Sequence, residues 1–420
     1  MNYFEVDNLK KVFLDYFVNN CGHTQISGAS LVPTTDDSVL FTPAGMHPLI
    51  PYLAGKEKHP CGNKLVNIQN VVRTGAINRV GEDSFLTFFE LFGSWVIGDY
   101  DRFDVLSKVW KFLTDESFLN IPPDQIYMTY FDGNEFHDKD ELTLSLWKEI
   151  GVLPNHLCPT KKNWKGPYSK EQICGPNTRI FYDTKKEKCS LECSPLCSCG
   201  KYVELWDIVF FNYIMKDGIL VDSCSPSVDM GAGVERLASL IQNVGTIYET
   251  DKLNNIVNSV KSQIENQDIV NDIDVTKKCR IIADHLRCAC LVIGDEVSTV
   301  PSNKGRGYVL RKILRRVINN TDQLQIGFES YELIINKIID LYKDSNPLLE
   351  EKKDFIIEQI RSEYNLYKTT LKRNLLKIEN DIKSKVSISS DEIRNLFDRY
   401  GVPIDMIKNI ICENKVLIKE

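Results

Sequence analysis

No run of about eighteen apolar residues occurs in the sequence, so no membrane-spanning helix is expected. The first ten residues carry Glu5 and Asp7 and lack an apolar core, which argues against a secretory signal. An excess of positive charge is missing too. The formal net charge of -7 excludes a protein that coats nucleic acid non-specifically, while leaving room for a local basic patch. Internal repeats and long low-complexity linkers are absent. The 13 cysteines are odd in number and mostly scattered singly, which does not read as a disulfide framework. What is present is an ordinary globular composition, 43% hydrophobic and 26% charged, over 420 residues, enough for two or three domains. The cytoplasm is the expected compartment.

Apolar residues at Leu9, Val12, Phe13, Tyr16 and Phe17 have helical spacing over Asn8 to Asn19, with Gly22 as a stop. A loop and strand region follows, with Ser30 to Pro33 and Val39 to Thr42. Leu65 to Arg73 and Phe85 to Phe92 then read as two strands around a polar loop, Thr74 to Ser84, with an arginine ending the first. Lys201 to Met215 is apolar and aromatic, as in a buried strand. After about residue 246 prolines thin out, and 3.6-residue periodicity persists to near Lys385. The sequence therefore predicts an α+β organisation: a mixed domain over 1–245 and an all-α domain over 246–420.

Three clusters carry chemistry. Ser227 to Arg236 reads as a strand, a glycine turn at Gly231 and Gly233, and a helix start. The glycines admit a ligand close to the backbone. The helix N-terminus favours an anion, and Arg236 is placed to grip phosphate oxygens. An ordinary strand-to-helix turn with a surface arginine fits equally well. Cys189, Cys193, Cys197 and Cys199 lie within one short loop, where four thiolates suit a tetrahedral Zn²⁺. Reduced free thiols, or a redox or iron–sulfur role, are the alternatives. Lys304, Arg306, Arg311, Lys312, Arg315 and Arg316 form a basic run suited to nucleic-acid phosphates, or simply to a solvated helix face.

Read together, further segments are specific. Phe41-Thr42-Pro43-Ala44-Gly45-Met46, Val72-Arg73-Thr74-Gly75, Thr87 to Gly93 and Gly98-Asp99-Tyr100 come first in the chain. Tyr202 to Phe210 and Pro226 to Leu240 follow. Then come Ile282 to Arg287, Pro301-Ser302-Asn303, Arg306 to Arg311, and Leu396 to Pro403. In this order and over nearly the whole chain, they resemble the signatures of class II alanyl-tRNA synthetases.

The resemblance implies an antiparallel-sheet catalytic domain followed by a helical tRNA-recognition domain. It also implies ATP-dependent activation of an amino acid, alanine, and its transfer to tRNA. Arg73 matches the arginine that bridges the substrate carboxylate and the α-phosphate, and Arg236 the one that holds the ATP tail. Phe89 matches the ring that stacks on adenine. Gly231 and Gly233 belong to the same ATP site, and Glu204 is a candidate ATP or metal contact. Asp229 matches the carboxylate that pairs with the substrate ammonium, beside Asp207 and Gly231. Asn303 and Asp398 match readers of the tRNA acceptor stem, with Arg306, Arg311 and Arg315 as phosphate contacts. ATP, Mg²⁺ and a structural Zn²⁺ are the expected cofactors.

Some positions depart from the family pattern. Asp207 stands where the family has asparagine, Lys304 where it has glutamate, and Arg179 where it has glutamate. The family's editing and C-terminal oligomerisation patterns do not occur, so a monomer without editing is expected. A paralogue loading a carrier protein or peptide is a second reading. A non-catalytic tRNA-binding module is a third, against which the retained Arg73, Asp229 and Arg236 argue.

Overall fold

A computed structural model of the protein describes residues 4–34, 38–135, 137–168, 172–383, 385–414 and 416–419. Nine strands form its main sheet: β1 (Thr24–Gln25), β2 (Lys64–Val72), β3 (Phe88–Ile97), β4 (Ile126–Phe131), β5 (Leu157–Thr160), β6 (Trp164–Tyr168), β7 (Ile173–Asp183), β8 (Tyr202–Lys216) and β9 (Ile219–Gly233). Their order is β1-β2-β3-β9-β8-β7-β4-β5, with β6 hung on β7. The β1/β2 and β4/β5 pairs are parallel and the rest antiparallel. The sequence dictates much of this. Strands β2, β3 and β8 are rich in Val, Ile, Phe and Trp, which fit a pleated, half-buried surface.

The pleat of β3 divides its side chains by parity. Phe88, Glu90 and Phe92 point to one face, which helices cover. Phe89, Leu91, Gly93 and Trp95 line a cleft on the other. Five helices accompany the sheet: α1 (Val6–Asp15), α2 (Ile50–Leu53), α3 (Arg102–Thr114), α4 (Glu141–Ile150) and α5 (Val234–Ile241). All but α2 share a core with Phe92 and Trp206, whereas α2 packs with Trp95 and Val209. Val6, Leu9 and Phe13 of α1 form its buried stripe, and the Phe13 and Phe92 ring centroids lie 4.4 Å apart. Buried Lys10 of α1 sits 2.5 Å from Glu90 of β3, so the covered face carries a compensated charge pair.

Two sequence expectations are corrected. Ser30 to Pro33 and Val39 to Thr42 form bends, not strands. Their polar groups bond to each other, as Thr42 N to Leu31 O at 2.9 Å, or to the Asp295 carboxylate, which accepts from Leu31 N at 2.9 Å. The second strand of the hairpin begins at Phe88 rather than Phe85. Phe85 O accepts from the Tyr248 hydroxyl at 2.7 Å and Thr87 N donates to Asp284 at 3.1 Å, so these residues are held by side chains of the helical part.

From Asp251 onward helices dominate: α6 (Asp251–Lys261), α7 (Ile273–Gly294), α8 (Gly305–Gln323), α9 (Glu329–Tyr342), α10 (Leu348–Glu351), α11 (Lys353–Lys383), α12 (Ser390–Tyr400) and α13 (Ile404–Glu413). The region is not wholly α. Strands β10 (Ser387–Ser389) and β11 (Leu417–Lys419) pair in parallel beside α12 and α13. Among the described residues no helix is long and apolar enough to cross a membrane.

Helix α7 docks on the start of β3 through a buried polar network. Arg287, with no exposed surface, donates to Glu235 at 3.0 Å, to the Tyr342 hydroxyl at 2.9 Å and to Phe88 O. Asp284 receives Thr87 N and lies 3.0 Å from His285 Nδ1. Buried charges of this kind depend on such partners, and among the described residues only Arg287 Nε is left without one in this network. The partners here fix how α7, α5 and β3 meet, immediately before Phe89 and beside Arg236.

Candidate active site

The cleft encloses about 440 Å³. Its floor is built by register. Trp95 of β3 lies opposite Asp229 of β9, and Gly93 opposite Gly231. Asp207 of β8 faces Gly231, and Val209 faces Asp229. One face of three adjacent strands thus gathers Phe89, Asp207, Asp229 and the glycines. A Cβ at Gly93 would meet the Trp95 ring at 2.1 Å, so glycine there makes room for the indole to lie across the floor. A Cβ at Gly231 would meet Phe92 O at 2.9 Å.

The glycine turn expected at Gly231 and Gly233 is not formed. Both residues remain within β9, neither has positive φ, and Gly233 is the extended cap (φ -71, ψ 122) of α5. The ladder to β3 continues to Gly233, and that to β8 as far as Gly231, which holds the backbone straight. Arg236 lies in the first turn of α5, as expected, and projects to the cleft rim. There its guanidinium donates to Glu204 O at 3.2 Å and lies 3.8 Å from the Glu204 carboxylate.

Arg73 follows β2 directly. Its Nε donates to Pro43 O at 2.8 Å, and its guanidinium stands 5.0 Å from the centroid of the half-buried Phe89 ring. Desolvation within the cleft, and then the Arg236 charge, lower its pKa from the ordinary value, although the residue keeps an exposed face. Two like charges aimed into one space create a field that attracts anions.

Asp229 accepts from the Trp95 indole N–H at 2.7 Å. Burial, and then the Asp207 charge, push its carboxyl up to about 7, against Trp95 and Lys165, which pull it down. Asp207 is itself compensated. Its Oδ2 lies 2.9 Å from Lys165 Nζ, and its Oδ1 accepts from Asn177 Nδ2 at 2.5 Å. Glu204 is partly exposed and sits between Arg179, at 3.3 Å, and Arg236. Trp95, Lys165 and Asn177 were not singled out in the sequence. The alternation after Gly93 pointed to Trp95; no local signal marked Lys165.

The remaining expected residues lie elsewhere. Asn303 is exposed just before α8, and Asp398 is exposed on α12. Arg306 donates to Leu40 O at 2.6 Å and to Pro33 O at 3.1 Å. Arg311 and Arg315 each donate at 2.9 Å to the buried Glu363 of α11, and Arg311 also reaches Asn303. Arg316 turns inward to Ile77 O. The basic run is therefore divided: Lys304 and Lys312 are exposed, while the arginines are tied to protein partners.

The cysteine loop closes the far end of the β7–β8 hairpin. The sulfurs of Cys189, Cys193 and Cys197 lie within 4.8 Å of one another, and Cys199 Sγ is 3.7 Å from Cys193 Sγ. Hydrogen bonds with Cys193 and Cys199 push the Cys189 thiol up to about 12. Lys201 anchors the loop through Asp183, at 2.7 Å, and Lys186 O, at 2.8 Å.

A family model described as tRNA synthetases class II (A) matches residues 8–420. The alanine–tRNA ligase of Borrelia hermsii is 37% identical over 420 residues, spanning 97% of this chain and 69% of that protein. The alanine–tRNA ligase of Treponema denticola is 38% identical over 421 residues, spanning 98% and 70% respectively. Among solved structures, the S. aureus histidyl-tRNA synthetase covers 60% of this chain and 71% of its own, at 13% identity and a TM-score of 0.36, too slight a likeness to argue from. The sheet, the cleft with its paired arginines, and a match running from residue 8 to residue 420 together mean that this chain belongs to the class II (A) tRNA synthetase family.

Proposed function

We propose that the chain activates alanine with ATP and transfers it to tRNA. The observation that carries this reading is the convergence of Arg73 and Arg236 over a floor that ends in Asp229. The reaction brings two anions together, and a cation between them is the main requirement. Asp229 takes the substrate ammonium, and Arg73 reaches both the substrate carboxylate and the α-phosphate. Arg236 holds the outer phosphates, and Phe89 stacks on adenine. A carboxylate oxygen attacks the α-phosphorus, the α–β phosphoanhydride bond breaks, and pyrophosphate leaves. A ribose hydroxyl at the tRNA 3′ end then attacks the acyl carbon and displaces AMP. No covalent protein nucleophile is required; the residues position and neutralise. Glu204, which lines the cleft, is the carboxylate suited to hold a Mg²⁺, which when bound would neutralise phosphate charge.

Beyond the cleft, exposed Asn303 and Asp398, with Lys304 and Lys312, are proposed to face the acceptor stem. Arg306, Arg311 and Arg315 would then support that surface as well as touch phosphate. The four cysteines are proposed to hold one structural Zn²⁺. A tetrahedral Zn–S₄ site has sulfur separations of about 3.8 Å; Cys193 and Cys199 stand 3.7 Å apart, and Cys189, Cys193 and Cys197 lie within 4.8 Å of one another. We place the protein in the cytoplasm. Amino-acid-dependent ATP–pyrophosphate exchange, run with each amino acid, tests the reading: alanine should give the fastest exchange, and no exchange with any amino acid would overturn it.

A further inference from the structure

Asp207 puts a second carboxylate into the floor that must receive the carboxylate end of an amino acid. It lies across from Gly231, one step along β9 from Asp229. It also pairs in register with Arg179 of β7, another position where the family pattern is broken. An unpaired anion here would repel the incoming carboxylate and oppose ionisation of Asp229. The cleft meets this with two groups from the β6–β7 wall. Lys165 Nζ stands 2.9 Å from Oδ2, and Asn177 donates its amide N–H to Oδ1 at 2.5 Å. The Asn177 carbonyl oxygen is buried without a partner among the described residues. A carboxylate only accepts, so Asn177 must present its NH₂ to Asp207 and leave its own oxygen unsatisfied. That arrangement is costly unless Asp207 is ionised. Lys165 is no incidental surface lysine: its side chain is about two-thirds buried, at 32% exposure, and it lines the cleft.

We propose that Lys165 is a positioning and specificity residue of the amino-acid site: it neutralises Asp207, so that the pair replaces a neutral amide as an overall uncharged floor. The proposal rests on the amino-acid-activating reading above and names a residue that the reading does not require. The groups acting on Asp229 are Trp95 from β3, Asp207 from β8, and Lys165 and Tyr168 from β6. Of these, Lys165 is the cation that also contacts the neighbouring anion. Burial works against its charge, but Asp207 more than restores it, leaving its pKa above the ordinary value.

The test is a double-mutant cycle on the intact chain, read by pyrophosphate exchange with whichever amino acid the wild type uses best. Lys165→Met should raise KM for the amino acid at least about tenfold, because two carboxylates then face the substrate. KM for ATP should stay within about threefold, since that end of the cleft is untouched. Lys165→Met/Asp207→Asn removes both charges and should bring the amino-acid KM back to within about threefold of wild type. If the double variant is as impaired as Lys165→Met, Lys165 acts on the substrate directly and the proposal is overturned. A wild-type KM in Lys165→Met overturns it as well. Absence of exchange in the wild-type protein with every amino acid instead overturns the activating function itself, so the two failures are distinct.

Discussion

The indole N–H of Trp95 donates to Oδ1 of Asp229 at 2.7 Å, across paired strands β3 and β9. It braces the one carboxylate at the cleft floor that Lys165 does not contact. The space for the indole comes from Gly93, two residues earlier on the same strand.

Replacing Trp95 by Phe keeps a ring over Gly93 but removes the donor. Hydrogen bonds to charged groups contribute about 1.5–3 kcal/mol, so KM for the amino acid should rise by roughly 10- to 100-fold. KM for ATP should change little. Steady-state pyrophosphate exchange measures both; an unchanged amino-acid KM would remove Trp95 from the site.

Asp229 also predicts a pH dependence. Its carboxyl is raised from 3.8 to about 7, so the ionised form that pairs with an ammonium grows as pH rises through 7. Amino-acid kcat/KM in exchange should therefore climb with pH across that point. Stability of the ligand-free protein should run the other way. A carboxyl raised by folding contributes fully below about 4, and that contribution is lost as pH rises toward about 7, on the order of 2–4 kcal/mol in all. Asp229→Asn should abolish activation yet raise the melting temperature at pH 7.5, as read by calorimetry.

Arg73→Ala should cost roughly 3–4 kcal/mol of transition-state stabilisation, as for loss of one key charge-stabilising donor. Among the described residues its side chain makes one hydrogen bond to protein, to Pro43 O, and its backbone bond to Thr87 O survives the substitution, so the fold should persist. Normal circular dichroism together with wild-type exchange would refute the role assigned to it.

Protein purified without chelators should contain about one zinc per chain. Cys193 is the buried member of the cluster and packs with Phe181 and Tyr202 at the hairpin end. Cys193→Ser should lower both zinc content, by elemental analysis, and melting temperature. Full activity and stability in a metal-free preparation would count against the site.

Glu363 holds both Arg311 and Arg315 and is itself 2% exposed. Glu363→Ala leaves two guanidiniums facing a buried gap between α8 and α11. Breaking such an arrangement from one side should cost roughly 2–4 kcal/mol, reduced because Arg315 is partly solvated. Urea unfolding would measure it.

Strands β2, β3 and β8 were legible in outline as apolar and aromatic runs, because such residues suit a pleated, half-buried surface. The motif residues Arg73, Phe89, Asp207, Asp229 and Arg236 were legible through the family resemblance, and the structure brings them to one cleft. The glycine segment misled. Gly231 and Gly233 are common turn residues, but pairing with β3 and β8 at Gly231, and with β3 at Gly233, keeps them extended. The helical basic run showed its charge but not its partners, since its arginines find Glu363, Ile77 O and Leu40 O in distant segments.

The sequence by itself determined the family, the outline of β2, β3 and β8, the principal charges of the cleft and the clustering of four cysteines. These follow from residue type and short spacing. Only the tertiary structure decided which charges neutralise one another. Lys165 reaches Asp207, Trp95 reaches Asp229 and Arg287 reaches Glu235 across sheet register and helix docking. Whether a carboxylate in a cleft repels or receives a substrate depends on the partner within about 3–4 Å of it. That distance is set by how distant segments pack, which no local pattern records.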